Sequence, residues 1–209
     1  ADASPYVPPE PRPIAKHGDL RVTHGEVAVV ASPNDATREL LRIEDPTVRA
    51  VLREKSNEDG RSSIALRFTY NGPTQVRSAL GSGEEDRVQI GAKLRAADGC
   101  NVVYAMLRLH EQEPASIVVQ VKHNPSAHTH AECSNRGYRN VKPTQSSVLR
   151  SIEIGSTHLL RAEMNGRELV VWLDDLPAWK GDVGSEVLAF DGPAGFRTDN
   201  GRFLLEVIR

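Results

Sequence analysis

Hydrophobic runs long enough to cross a bilayer are missing from this 209-residue chain, so no membrane-spanning helix is expected. Charge of one sign is missing too: 26 Lys and Arg stand against 28 Asp and Glu, a formal net charge of -2. That balance argues against a nucleic-acid partner, whose phosphates need clustered, uncompensated cations. Aromatic residues make up only 5%, too few for a sugar platform built mainly on ring stacking. Cysteine is limited to Cys100 and Cys133, which excludes a cysteine-dense scaffold and a multi-cysteine zinc site. No internal repeat of fixed period occurs. Helical stretches of a dozen residues between strands are absent after residue 60, which removes a parallel α/β fold.

What is present reads as β-structure. From Ser62 onward, alternating apolar runs are cut by turn chemistry at Asn71-Gly72-Pro73, Gly81-Ser82-Gly83, Asp98-Gly99, Asn165-Gly166 and Asp191-Gly192-Pro193. Regular strands of this kind predict an all-β, two-sheet antiparallel β-sandwich. Before residue 60, Val22 through Val30 reads as a first strand, broken at Pro33-Asn34-Asp35. The mixed spacing of Leu40, Leu41, Val48, Val51 and Leu52 allows at most one or two short helices near residues 36–56. Residues 1–16 carry five prolines and form an expected Pro-rich arm, with one domain over residues 17–209. The start, Ala1-Asp2-Ala3-Ser4, looks like a mature end left by processing. Cys100 and Cys133 each lie among polar loop residues, so one bridge between two loops is expected, with two free thiols as the alternative. Both features point to a secreted, periplasmic or extracellular protein.

The C-terminal quarter carries a resemblance. The run from His158 to Asp175, with a hairpin at Asn165-Gly166 and an aromatic at Trp172, is followed by Gly192-Pro193-Ala194-Gly195 and the strand Phe203 to Ile208. It resembles the closing strands of concanavalin-like and laminin-G-like jelly rolls. The resemblance implies that fold, and with it polysaccharide lyases or carbohydrate-binding domains among many unrelated activities.

Strand alternation divides each run into two faces. Ile64, Leu66, Phe68 and Tyr70 oppose Arg67 and Thr69. Ile90, Ala92 and Leu94 oppose Gln89, Lys93 and Arg95. Val103, Ala105, Leu107 and Leu109 oppose Tyr104, Met106, Arg108 and His110. Ile117, Val119 and Val121 oppose Gln120, Lys122 and Asn124. If these runs share one sheet face, it displays Arg67, Lys93, Arg95, Tyr104, Arg108, His110, Gln120 and Lys122 with no carboxylate. Such a face suits the repeating carboxylates or sulfates of an anionic polysaccharide. The alternative is a plain solvated face whose cations pair with acids nearby. Arg139 and Trp179 are further substrate-binding candidates.

The segment 123–140 gathers three His, a Tyr and two Arg beside Cys133. Jelly-roll lyases of uronic-acid polymers use such groups, so the resemblance implies Arg67, Arg95 or Gln120 as neutraliser of the substrate carboxylate, with His130 and Tyr138 as base and acid. The ordered motifs of those lyases are not present, nor is the Glu-x-Asp-x-x-Glu strand of jelly-roll glucanases, and Glu84-Glu85-Asp86 reads as a solvated loop. His128-Thr129-His130 with Glu132 offers mixed metal donors but lacks a second spaced pair. No cofactor is required. Asp174-Asp175 with Asp182, or Asp191 with Asp199, have the oxygens a structural Ca²⁺ takes, while turn formation explains the same residues. A non-enzymatic structural or adhesive extracellular module is the competing reading, and a monomer is expected.

Overall fold

The computed structural model describes residues 14–55, 60–80 and 87–209. Most of the Pro-rich arm, the Gly81-Ser82-Gly83 turn and Glu84-Glu85-Asp86 lie outside the described residues. In chain order the strands are β1 (Ile14–Ala15), β2 (Leu20–His24), β3 (Ala28–Ser32), β4 (Asp35–Ile43), β5 (Thr47–Leu52), β6 (Arg61–Pro73), β7 (Val88–Leu94) and β8 (Val102–His110). There follow β9 (Glu113–Lys122), β10 (Tyr138–Val141), β11 (Gln145–Ser146), β12 (Thr157–Asn165), β13 (Glu168–Leu173), β14 (Leu176–Asp182), β15 (Gly195–Asp199) and β16 (Gly201–Ile208). One sheet has the order β11-β14-β13-β12-β6-β16-β4-β3, with β1 added on β16, and the other β10-β9-β8-β7-β15-β5-β2. Every pairing is antiparallel, the runs β7 to β10 and β11 to β14 each stay within one sheet, and the chain crosses between the sheets around them, which makes a jelly-roll sandwich.

Period-two alternation builds the core. Ile64, Leu66 and Phe68 of β6, Leu160, Ala162 and Met164 of β12, and Phe203, Leu205 and Val207 of β16 line one sheet's inner face. Ile90, Ala92 and Leu94 of β7, with Val103, Ala105 and Leu107 of β8, line the other. Phe68 and Phe203 meet edge to face, 5.8 Å between centroids, a favoured aromatic geometry. The β13–β14 hairpin turns on Asp174 and Asp175, both with positive φ (52° and 64°), as a two-residue turn of the I′ kind demands.

The region before residue 60 departs from expectation. Residues 35–43 and 47–52 are strands, not short helices, because each finds a pairing strand on both sides within its sheet: β4 pairs with β3 and β16, and β5 with β2 and β15. Val22 through Val30 is two strands, interrupted at Gly25, whose φ is +74°, and the pieces join different sheets. Asn71-Gly72-Pro73 closes β6 as strand rather than forming a turn.

Cys100 and Cys133 are bridged, with Cα atoms 5.9 Å apart. The bridge fastens the loop after β7 to the short helix α1 (His130–Cys133). That helix carries a capping box between Thr129 and Glu132, whose backbone and hydroxyl donors hold the Glu132 carboxyl down at about 2. Replacing both cysteines by serine is expected to lower the unfolding free energy by about 3 to 4 kcal/mol, from the loop-closure entropy of a 33-residue separation. Denaturant titration of the double variant checks this.

Candidate functional site

The outer face of the seven-stranded sheet is a sunken floor. Gln89, Lys93, Tyr104, Met106, Arg197 and Asp199 point away from the core, yet none retains more than 8% of its surface. Val51, Ala96, Val102, Tyr104 and Met106 form a second apolar cluster beneath the charged groups. Outward-facing side chains are buried to this degree only where the surface is recessed.

Register arranges the floor in rows. One runs Asn140, Gln120, Tyr104, Lys93, Gly195, Val51, Arg21 across all seven strands. The next runs Val118, Met106, Gly91, Arg197, Arg49, His24. A third contains Ser116, Arg108, Gln89, Asp199 and Thr47. Neighbours in a row are ~4.8 Å apart and alternate residues along a strand ~6.7 Å.

Asp199 is wholly buried. Its carboxylate accepts from Arg197 Nε at 2.7 Å, Gln89 Nε2 at 2.7 Å and Arg49 Nη2 at 3.3 Å. Arg197 also reaches over β7 to lie 5.0 Å from the Tyr104 ring centroid. Gly91, in register between Arg197 and Met106, leaves the space that Met106 occupies. Burial works against the Arg197 charge, but Asp199, Tyr104 and Tyr138 reverse that and hold it more firmly protonated than usual. Burial, then Tyr138, pushes the Tyr104 hydroxyl up to about 12.

Lys93 has no such support. It is 5% exposed, and its ammonium has no hydrogen-bonded partner among the described residues. Burial first, then the charges of Arg49, Arg197 and Arg21, pushes it down to about 8. Lys122 donates to the carbonyls of Gly99 (3.0 Å) and Ser134 (2.7 Å), tying β9 to both bridged loops. Its ammonium sits 5.0 Å from the centroid of Tyr138, which stacks on Tyr104 at 6.3 Å. Towards β10 the floor opens into a cavity of about 400 Å³ lined by Arg87, Arg108, Val118, Gln120, Asn140 and Trp179. Gln120 Nε2 donates to Asn140 Oδ1 at 2.8 Å. Burial and Arg197 lower the pKa of Arg108, whose enclosed Nε has no partner among the described residues.

Thus the structure brings together Gln89, Lys93, Tyr104, Arg108, Gln120, Lys122 and Tyr138 from the sequence-derived set. Others lie elsewhere. Arg67 is on β6 of the opposite sheet, in register with Glu206. Arg95 turns away because its backbone is left-handed (φ 48°), and its guanidinium donates to the carbonyls of Val187 and Phe190. Arg139 points opposite to its neighbour Tyr138 and bonds Glu186 and the Val183 carbonyl. His110 stands exposed at the end of β8, 3.3 Å from Ser116 Oγ. His130 opens the exposed helix α1. Trp179, on the opposite sheet, does line the cavity beside Arg108 and Gln120, but it is buried and not an exposed stacking surface, because its cross-strand partner Val171 faces the core. Trp172 is the partly exposed one, with Arg161 stacked 4.1 Å over it. Arg49 and Arg197 were not anticipated, and Asp199 was anticipated only as an oxygen donor for Ca²⁺, not as part of this face. Alternation in Phe196-Arg197-Thr198-Asp199 would have revealed two of them, and Asp199 supplies the carboxylate the face was expected to lack.

The other proposed donor groups are engaged. Asp98 Oδ2 contacts His128 Nδ1 at 2.9 Å, Glu132 caps α1, Asp182 binds Arg167 and Asp191 binds Lys55. No cluster of three or more His, Cys, Asp or Glu suited to a metal occurs among the described residues. Ser156 Oγ, His158 and Asp174 form a hydrogen-bonded chain of 2.8 and 2.7 Å. Ser156 also donates to the Glu153 carbonyl, and Asp174 accepts the Leu159 amide, so the chain fastens a loop to a hairpin.

No family model and no curated protein matches the sequence. Among solved structures, the chain is similar to a carbohydrate-binding module, CBM66, from Bacillus subtilis, at 11% identity and a TM-score of 0.57, over 91% of this chain and 96% of that one. It is similar to a family 16 glycoside hydrolase of a mixed-linkage glucan locus of Bacteroides ovatus, at 9% identity and 0.55, over 93% and 95%. It is also similar to an alginate lyase from a Chlorella virus, at 8% and 0.51, over 92% and 93%. The fold is therefore the concanavalin-like jelly roll.

Two stability measurements probe this geometry. A Cβ on Gly91 would stand 2.2 Å from the Ala105 carbonyl oxygen and 2.7 Å from Met106 Sδ, so Gly91→Ala is expected to destabilise by about 1 to 3 kcal/mol in urea titration. Lys93→Met should stabilise by about 2 to 3 kcal/mol at pH 7. The folded pKa (about 8) lies below the ordinary 10.5, so between these values the unfolded chain holds more protons and wild-type stability rises with pH. The variant's advantage should therefore vanish by about pH 10.5.

Proposed function

We propose that the protein binds an acidic polysaccharide along the outer face of the seven-stranded sheet, as a secreted module. The observation that carries this is the sunken floor itself, where Arg49, Lys93, Arg108, Arg197 and Lys122 outnumber the carboxylate buried among them in the described residues, Asp199. A floor spanning six inter-strand steps, roughly 30 Å, suits an extended polymer better than a compact metabolite. The similar carbohydrate-binding module, glycoside hydrolase and alginate lyase support a sugar ligand, and the disulfide supports export to an oxidising compartment. With few aromatics, charge-assisted hydrogen bonds supply the recognition.

β-Elimination is a second reading, favoured by one juxtaposition: Tyr138 and Gln120 occupy neighbouring rows of the floor beside Lys122. A hydroxyl for proton transfer and an amide for the uronate carboxyl would then face the same sugar. Arg67 and Arg95 take no part in it.

Affinity electrophoresis of the whole chain against alginate, polygalacturonate, a glycosaminoglycan and neutral mixed-linkage glucan tests the first reading. Retardation is expected in the acidic polymers only, weakening with salt, and Arg108→Gln should lower that affinity about tenfold. Retention by the neutral glucan alone, or by none of the four, sinks it. Ultraviolet absorbance of an unsaturated uronate during the same incubations tests cleavage. A rise that disappears in Tyr138→Phe supports elimination, whereas a flat trace from the wild type leaves a binding module.

A further inference from the structure

Three cationic groups crowd a point on the floor, and Asp199, the carboxylate among them, pairs with only two. Lys93 is nine-tenths buried and its ammonium has no partner among the described residues. Arg49 Nη1, from β5, is enclosed and makes no hydrogen bond there either. Arg197, from β15, stands beside both. Asp199 is already spent on Arg197, Arg49 Nη2 and Gln89.

We propose that Lys93, the free Nη1 of Arg49 and the adjoining Arg197 guanidinium form a seat for one carboxylate or sulfate group of the polysaccharide. The proposal rests on the reading of the floor as a glycan surface and specifies which group of the glycan it holds. Arg49 Nη1 is an unsatisfied donor and Gln89 Oε1 an unsatisfied acceptor, but the charged groups at this point are all cationic donors, which match an oxyanion with several lone pairs. A hydroxyl would leave the buried charge uncompensated.

The groups facing Lys93 are Arg21 from β2, Arg49 from β5, Arg197 and Asp199 from β15, Gln89 on its own strand, Tyr104 from β8, Lys122 from β9 and Tyr138 from β10. Cations outnumber the lone carboxylate, and Tyr104 stays neutral because burial pushes its hydroxyl to about 12. An anion entering this field binds the protonated lysine and raises its pKa. Affinity therefore falls as pH rises through about 8, and binding near that pH takes up a proton.

Isothermal titration of the intact chain with sodium sulfate, sodium glucuronate and neutral glucose tests the seat, alongside an acidic polymer. Either anion, or both, is expected to bind, which tells a sulfate seat from a carboxylate seat, and glucose is not. Affinity should drop about tenfold between pH 7 and pH 9, with proton uptake seen as a dependence on buffer ionisation heat. Lys93→Met, a variant expected to fold, should lose at least about tenfold for anion and polymer and keep no pH dependence. If the polymer binds wild type and Lys93→Met equally, the seat is overturned while the glycan surface stands. If sulfate or glucuronate binds at Lys93 but no polymer does, the seat stands and the glycan surface falls.

Discussion

Asp199 is the constraint around which the floor is organised. Arg49, Lys93 and Arg197 come from three adjacent strands, and without an acid among them their repulsion would add to the desolvation of each. A carboxylate with no accessible surface, held by two guanidiniums and an amide, offsets the charge of two of the three. The third, Lys93, lies outside that set of bonds. Its lowered pKa is the residue of an electrostatic problem that the fold solves only in part.

Backbone placement makes the arrangement possible. Arg197 bonds Asp199 and covers Tyr104 at once from its place on β15, while the bare Gly91 beside it gives Met106 room to pack into the floor. The walls depend on Lys122, which spans from β9 to the two loops joined by Cys100 and Cys133. These are long-range contacts, so the recess exists only once the sandwich has closed.

The alternation of β7, β8 and β9 made the sandwich and half of the floor readable in the sequence. Period two is a local property and survives any strand order. Strand adjacency is not local: Arg67 has the same pattern as Lys93 but belongs to the opposite sheet. Arg95 shows a different failure, since one left-handed residue after β7 ends the alternation and aims its side chain at loop carbonyls. Arg49 escaped notice because Thr47–Leu52 has irregular apolar spacing, being almost wholly buried within the sheet. The sequence also suggested exposed cations, and nothing in periodicity distinguishes an outward residue on a convex surface from one in a recess.

That distinction decides what the cations can do. An exposed lysine is screened within a Debye length of ~8 Å at physiological salt and contributes little to any one encounter. A lysine sunk beside two arginines already bears most of its desolvation penalty before a ligand arrives, so an entering anion gains attraction without a second full dehydration of the protein side. A neutral sugar displaces the last water from the ammonium and returns no charge. On the proposed reading of the floor, discrimination between acidic and neutral glycans would come from rejecting the neutral one, and the stability that Lys93 forgoes in the free protein would be the physical source of that selectivity.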